Sequence, residues 1–313
     1  MMLVLDADAV HAALSWPYLV AELQAAHRGP SPLSEVVVQS DPAGSGNQFV
    51  TLPGWLPGGL IAVKMVGVFP GNQTADPPQP SVQGLVAAFD GETGAARLVA
   101  DGAAMTARKT CADSALGAQI LAREDADSLL VIGAGALAPH MVAAMCAVRP
   151  SISRIEIWNR THERAANLAA DLRLAGFPVA AVKDIDAAVA AADIVSCVTM
   201  SNSPLVKGAL LQRGSHLDLV GAYLPTMREA DDEAIRRAVV FTDTKGNMKN
   251  GGDLLQAVNA GVIGWDDVRA DLFDLVQGRA SGRMDGAEIT LFKNNGGAHL
   301  DVFTAAALLK AAR

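Results

Sequence analysis

The chain has 313 residues, half of them apolar, and its 25 lysines and arginines against 33 aspartates and glutamates give a formal net charge of −8. This length suggests two domains or one large domain, and the apolar content excludes a wholly disordered chain. The acidic balance argues against nucleic acid and anionic membranes as partners, and the lack of a membrane-spanning apolar run or a basic leader predicts a cytoplasmic protein.

The first third of the chain predicts a helix and then several strands with no helix between them. The helix covers Pro17 to His27 and ends before Gly29 and Pro30. β-like runs follow at 36–38, 48–52, 60–69, 83–89 and 96–100, separated by turn clusters such as DPAGSG and DGETG. Neighbouring strands of this kind indicate an antiparallel or mixed sheet, and hence a separate α+β domain.

A long helix at about 103–123 leads into a region where short apolar runs alternate with alanine-rich helical stretches. The apolar runs are at 128–133, 154–158, 178–182, 193–199, 215–222, 238–243 and 288–293. Continuous apolar strands separated by helices indicate a parallel sheet covered on both faces, which is the doubly wound α/β class. The last helix, 297–312, is expected to return to the first domain. The predicted domains are therefore 1–112 plus 297–313, and 113–296.

The most informative motif is G-x-G-x-x-A, which runs from Gly133 to Ala138. It follows a strand directly and opens a helix, as the dinucleotide fingerprint of a Rossmann-type domain requires. Gly133 permits the tight turn, and Gly135 lets the backbone approach a pyrophosphate. The helix N-terminus, beginning near Ala136 and Leu137, offers N–H groups and a positive dipole end to that anion.

The tip of the next strand indicates which coenzyme binds. An acidic residue there would hold the ribose diol of NAD, but the chain reads Asn159, Arg160, Thr161. Arginine can make a charge-assisted contact with a 2′-phosphate, and its neighbours can donate hydrogen bonds to it. We therefore expect NADP(H), with NAD(H) as the alternative. The alternative to phosphate binding is that Thr161 only caps the following helix and Arg160 is a solvated surface charge.

With these residues in place, the chain resembles the ornithine cyclodeaminase/mu-crystallin family over nearly its whole length. The resemblance rests on the fingerprint and on five further segments, 63–72, 101–110, 221–229, 252–255 and 289–301. It implies a homodimer whose first domain carries dimer contacts and substrate residues. It also implies a cleft in which nicotinamide meets a small amino or imino acid.

The resemblance assigns Lys64 to the lysine that holds the substrate carboxylate, Ser81 to a hydroxyl near the nicotinamide amide, and Thr199 to the strand that borders the cofactor. Three positions depart from the family pattern. A second cation, expected around Ser34–Glu35, is missing. The arginine of T-x-x-R-T falls on Lys109, which keeps the charge but loses the bidentate fork, and Arg108 could replace it only if the helix rotated. The aspartate that acts as base in ornithine cyclodeaminases falls on Tyr223, a phenol that does not readily accept a proton.

Loss of that aspartate counts against cyclodeamination and less against reduction, because an imine needs a proton donor. The sequence favours the interpretation that the protein is an NADP(H)-dependent reductase of a small cyclic ketimine carboxylate. Its catalytic candidates are Lys64, Lys109 and Tyr223. Ornithine cyclodeaminase, which would convert ornithine to proline and ammonia, is the alternative. A non-catalytic, NADPH-dependent binding protein is the second alternative.

Two further aspartates have open roles. Asp253 is interpreted as a helix cap or a catalytic part, and Asp301 as a buried hydrogen-bond partner or a catalytic part. The cysteines Cys111, Cys146 and Cys197 show no C-x-x-C spacing and are expected to be free thiols, and no metal site is predicted.

Overall fold

The computed structural model describes residues 2–312, apart from the side chain of Gln73. The helices are α1 (Ala7–Ala13), α2 (Trp16–Ala26), α3 (Gly102–Leu121), α4 (Ala138–Val148), α5 (His162–Leu174), α6 (Ile185–Ala191), α7 (Asp232–Arg237), α8 (Gly252–Asn259), α9 (Leu272–Val276) and α10 (Ala298–Ala311). The strands are β1 (Leu3–Leu5), β2 (Leu33–Ser34), β3 (Val37–Ser40), β4 (Gln48–Trp55), β5 (Leu60–Val68), β6 (Val82–Asp90), β7 (Ala96–Asp101), β8 (Ser128–Ile132), β9 (Arg154–Trp158), β10 (Val179–Val182), β11 (Ile194–Cys197), β12 (His216–Leu219), β13 (Ala238–Thr242), β14 (Ala270–Asp271) and β15 (Ile289–Lys293).

The chain forms two compact units. One combines both chain ends, up to Lys109 and from Gly296 onward, and the other runs Thr110–Asn295. Among the described residues, no helix combines the length and the hydropathy needed to cross a membrane.

The first unit is built on a mixed sheet in the order β1-β7-β6-β5-β4-β2, with β3 also paired to β4. All pairs are antiparallel except β1 with β7. Helix α10 packs on β4 and β5, and α2 packs on α10. The contact is close because Gly54 has no side chain: a Cβ there would lie 2.7 Å from Val302 Cγ2. The predicted strands are confirmed, whereas β1, β2 and α1 were not predicted from the sequence.

The second unit is an eight-stranded sheet in the order β10-β9-β8-β11-β12-β15-β13-β14, in which every pair is parallel. Strands β8, β11, β12 and β15 are buried along their whole length, as expected for a sheet covered on both faces, and the buried residues of β12 and β15 include Asp218 and Lys293. The doubly wound α/β class is confirmed. From β8 the chain proceeds outward to β9 and β10 and then returns to β11 on the other side. The strand order therefore reverses between β8 and β11, and such a switch point is where open α/β sheets bind ligands.

Candidate active site

The loop after β8 has the geometry that a dinucleotide pyrophosphate needs. Gly133 has φ of +116°, and a Cβ there would lie 2.9 Å from the carbonyl oxygen of Val198, so only glycine fits the turn. At Gly135, by contrast, a Cβ would meet no atom within 4 Å. In the described part of the chain, no group accepts a hydrogen bond from the backbone N–H of Ala136 or Leu137. An open approach lined by two free N–H groups at the start of α4 fits an anion.

The tip of β9 presents a cation and a hydroxyl to solvent. Asn159 Nδ2 donates to the carbonyl oxygen of Thr161 at 2.9 Å, which stiffens the tip. Thr161 stands at the N-cap position of α5, but its side chain makes no capping hydrogen bond. Arg160 is exposed, and no carboxylate of the described residues lies within ion-pair distance of it. The side chains of Arg160 and Thr161 are therefore available to a phosphate.

Thr199 lies at the carboxyl end of β11, next to the glycine loop. Its Cγ2 would be 3.2 Å from a Cβ on Gly133. Its backbone N–H and its hydroxyl both donate to Glu229 Oε1, at 2.7 and 2.8 Å. The sequence had singled out Thr199, and the structure adds the buried carboxylate that holds it.

A buried ion pair holds the main chain at Glu229. Asp253 Oδ1 accepts hydrogen bonds from the backbone N–H groups of Glu229 and Ala230, at 2.7 and 3.3 Å. Asp253 Oδ2 lies 3.2 Å from Lys293 Nζ, and both side chains are fully buried. The helix-cap interpretation of Asp253 is wrong, because Gly251 is the N-cap residue of α8 and the aspartate binds a different segment.

In the first unit, Lys64 is a half-buried cation beside two other charges. It lies on β5, and no carboxylate of the described residues comes within ion-pair distance of it. Desolvation and the neighbouring ammonium of Lys109 lower the pKa of Lys64 to about 8, while Asp301 opposes the shift. Two lysines with a single aspartate leave one excess positive charge. Such an arrangement is suited to an anionic ligand such as a carboxylate.

Lys109 is already paired. It is buried, its Nζ lies 2.5 Å from Asp301 Oδ1, and it donates to the carbonyl oxygen of Gly297 at 3.1 Å. Asp301 is thus buried as the ion-pair partner of Lys109. Arg108 does not replace Lys109: its Nε donates to His11 Nδ1 at 2.9 Å, and its guanidinium lies 4.1 Å from the centre of the Trp16 ring.

Two further candidates lie in loops. Ser81 immediately precedes β6, and its carbonyl oxygen accepts a hydrogen bond from the backbone N–H of Phe69 at 2.7 Å. Tyr223 follows β12, and 53% of its side chain is exposed. Its backbone N–H donates to the carbonyl oxygen of Gly221 at 3.0 Å. The phenol is therefore accessible.

Sequence reasoning missed Glu229 and Lys293 as parts of the site. Both lie within segments that carry the family resemblance, which gave them no role. Their significance comes from contacts with residues 24 to 40 positions away, and no local spacing signals these.

Comparison with known proteins agrees with this geometry. The model of the ornithine cyclodeaminase/mu-crystallin family matches residues 11–312. The chain is 39% identical over 293 residues to a Delta(1)-pyrroline-2-carboxylate reductase of Paracoccus denitrificans, covering 93% of this chain and 91% of the relative.

Two solved structures are also similar. The Thermococcus litoralis Delta(1)-pyrroline-2-carboxylate reductase in complex with NADH and L-proline has a TM-score of 0.91 at 27% identity, with 99% of this chain and 97% of that chain covered. An archaeal alanine dehydrogenase dimer with bound NAD has a TM-score of 0.89 at 26% identity, with 99% and 96% covered. With its glycine loop, its switch-point sheet and its family match over residues 11–312, this chain belongs to the ornithine cyclodeaminase/mu-crystallin family.

Proposed function

We propose that this chain is an NAD(P)H-dependent oxidoreductase that reduces a small cyclic ketimine carboxylate, of the pyrroline- or piperideine-2-carboxylate type, to the saturated cyclic amino acid. The observation that carries the proposal is Lys64, a half-buried ammonium without a carboxylate of its own among the described residues. The relatives named as pyrroline-2-carboxylate reductases support the substrate class. The substrate-binding role is assigned to the first unit, which contains this lysine.

Different residues of the chain are assigned to the coenzyme and to the substrate. The N–H groups of Ala136 and Leu137, beside Gly135, would hold the coenzyme pyrophosphate, and Thr199 of the same unit would contact its nicotinamide end. Bound coenzyme supplies the hydride. Lys64 binds the substrate carboxylate, and its pKa of about 8 lets it share or donate a proton to the imine nitrogen. The charge of Lys109 is neutralised by its pair with Asp301, which leaves the substrate carboxylate to Lys64.

The exposed phenol at Tyr223 favours reduction over cyclodeamination. Cyclodeamination needs a base that removes a proton from an amine, and a phenol with a usual pKa of about 10 does this poorly near neutral pH. Ketimine reduction needs protonation of nitrogen, for which a hydroxyl or an ammonium serves. Tyr223 is accordingly proposed to act as a hydrogen-bond donor and not as a base.

A substrate panel tests the reaction. With purified protein, pyrroline-2-carboxylate and piperideine-2-carboxylate should each drive oxidation of NADPH, which is measured as a loss of coenzyme absorbance. Formation of proline and ammonia from ornithine with catalytic NAD would instead establish the cyclodeaminase. Nucleotide-dependent thermal stabilisation without turnover of any substrate would identify a binding protein.

The coenzyme preference is assigned to the β9 tip, where Arg160 and Thr161 face solvent. Replacing Arg160 by alanine should raise the Kd for NADPH about 10- to 100-fold, the value of one charge-assisted hydrogen bond, and leave the Kd for NADH within about twofold. Fluorescence titration of both coenzymes measures this. Arg213→Ala, an exposed arginine of the same unit, is the control. Equal losses for NADPH and NADH would refute the phosphate assignment.

A homodimer forms through the sheet of the first unit. Gly54 faces α10, so strand alternation directs Phe49 and Trp55 to the opposite face, where both are about half exposed. Cross-strand register adds three exposed apolar residues to that face, Leu33, Val37 and Leu85. An exposed apolar face of this kind is typical of an interaction surface. The similarity to an archaeal dimer supports a second copy as its occupant.

Sedimentation measures this association. We expect twice the chain mass of 32.4 kDa for the unmodified protein, and a shift toward the single-chain mass for Phe49→Glu. A monomer at working concentrations would contradict the dimer.

A further inference from the structure

Glu229 is a fully buried carboxylate that binds two separate loops. Its Oε1 accepts from the backbone N–H and the hydroxyl of Thr199, at 2.7 and 2.8 Å. Its Oε2 accepts from the backbone N–H groups of Val220 and Gly221, at 3.2 and 2.8 Å. Four donors converge on one side chain, three of them from the main chain.

These two loops follow β11 and β12, at the carboxyl edge of the parallel sheet. The glycine loop follows β8 and the proposed phosphate tip follows β9, so the adenosine half of a dinucleotide belongs to the β8–β9 side. A dinucleotide lies across the switch point between β8 and β11, which directs its nicotinamide half to the loops after β11 and β12. Glu229 binds those loops and no group of the β9 tip.

We propose that Glu229 is a positioning residue that holds Thr199 and Gly221 in the arrangement required by the nicotinamide half of the coenzyme. This inference rests on the coenzyme binding contained in the proposed function. Glu229 acts through its two loops, without touching the coenzyme.

The two loops lie too close together to admit a side chain at Gly221. A Cβ on Gly221 would lie 1.7 Å from the carbonyl oxygen of Thr199, so the two segments are in direct backbone contact. The Glu229 carboxylate accepts hydrogen bonds from the main-chain N–H groups of both loops. The Thr199 hydroxyl donates to Glu229, and its Oγ1 accepts from the backbone N–H of Ser201 at 3.3 Å. One acceptor position of Oγ1 is left, which suits an amide N–H of the nicotinamide.

The ionised form of Glu229 is the one that matches four donors. Burial, together with the charge of Asp253, raises the pKa of its carboxyl to about 8, while Lys293 and the hydrogen bonds from Thr199 oppose that rise. Asp253 fixes its main chain and is itself paired with Lys293. The whole support therefore lies within the second unit.

The experiment compares NADH with ADP-ribose, which has the adenosine and pyrophosphate but lacks the nicotinamide. In Glu229→Gln, an NH₂ group replaces one acceptor oxygen and faces N–H donors. We expect the Kd for NADH to rise about tenfold or more, and the Kd for ADP-ribose to stay within about twofold. Calorimetric or fluorescence titration gives both constants without any substrate, so a failure of the proposed reaction does not affect this result.

Asp218→Asn is the matched control. Asp218, on β12, is also buried, and it accepts from the hydroxyls of Ser114 and Ser196 at 2.8 and 2.6 Å. Hydroxyl groups can rotate to suit an amide, whereas the main-chain N–H groups at Glu229 cannot. We expect the NADH to ADP-ribose ratio of Kd values in Asp218→Asn to equal that of the unmodified protein.

Equal weakening of NADH and ADP-ribose in Glu229→Gln would reduce Glu229 to a general structural role and overturn the inference, as would no change in either. If Glu229→Gln does not fold, Glu229→Asp decides by the same ratio, since it keeps the charge but withdraws it by one methylene.

Discussion

Replacing Lys64 by methionine should lower kcat/KM for a ketimine carboxylate by at least about 10³-fold, because both a charge-assisted hydrogen bond and a proton donor are lost. The Kd for NADPH should stay within about twofold, since the coenzyme loop belongs to the second unit. Thermal stability should not fall, because methionine fills similar volume and the lysine is a desolvated cation whose pKa is lowered to about 8. Steady-state kinetics, coenzyme titration and a thermal scan measure the three quantities.

The matched control is Lys310→Ala, which removes an exposed lysine of the same unit that pairs with Glu22. Its kinetics should equal those of the unmodified protein. Turnover that survives in Lys64→Met would show that the carboxylate anchor is assigned to the wrong residue.

The lowered pKa of Lys64 also predicts opposite pH dependences for binding and stability. Substrate affinity should fall as the pH rises through about 8, when the ammonium loses its proton. Between about 8 and the ordinary value of 10.5 the unfolded state binds more protons, so this group makes the folded state more stable as the pH rises. Loss of activity in that interval without loss of stability would separate the two, and Lys64→Met should lack both effects.

Replacing Lys293 by methionine should destabilise the second unit by about 3–5 kcal/mol, the cost of leaving a buried carboxylate without its partner. Lys293 and Asp253 are both fully buried, 3.2 Å apart. Burial already raises the pKa of nearby Asp243 to about 7, so the region tolerates little further uncompensated charge. Denaturant unfolding followed by circular dichroism measures the loss.

The double variant Lys293→Met with Asp253→Asn should recover most of that stability. Asparagine keeps a carbonyl oxygen for the N–H groups of Glu229 and Ala230 and removes the unpaired charge. Additive losses in this double-mutant cycle would mean that the pair is not coupled.

Lys293 and Lys64 differ in whether a carboxylate of the described residues pairs with them. Lys293 is paired and buried, so its charge stabilises the scaffold around Glu229. Lys64 lacks such a partner among the described residues, so its charge is available to a ligand. Asp301 neutralises Lys109 and leaves Lys64 as the cation that a carboxylate can bind.

The parts of the molecule that local patterns encode were predictable. Alternating apolar runs and helical stretches predicted the parallel sheet, and the turn at Gly133 was predicted because φ of +116° is a property of one residue and its neighbours. The quoted segments also predicted the family, which the match over residues 11–312 confirms. Periodicity and glycine placement are local signals, so one sequence suffices to interpret them.

Contacts between distant strand ends were decided only by the tertiary structure. Asp253 had been interpreted as a cap of its own helix, yet its carboxylate binds residues 23 and 24 positions earlier. Glu229 ended a recognised motif without any role, until folding placed it beneath Thr199 and Gly221. Parallel strands bring their carboxyl ends to one edge irrespective of their separation along the chain. Which buried charges meet there depends on strand order, which no local spacing specifies.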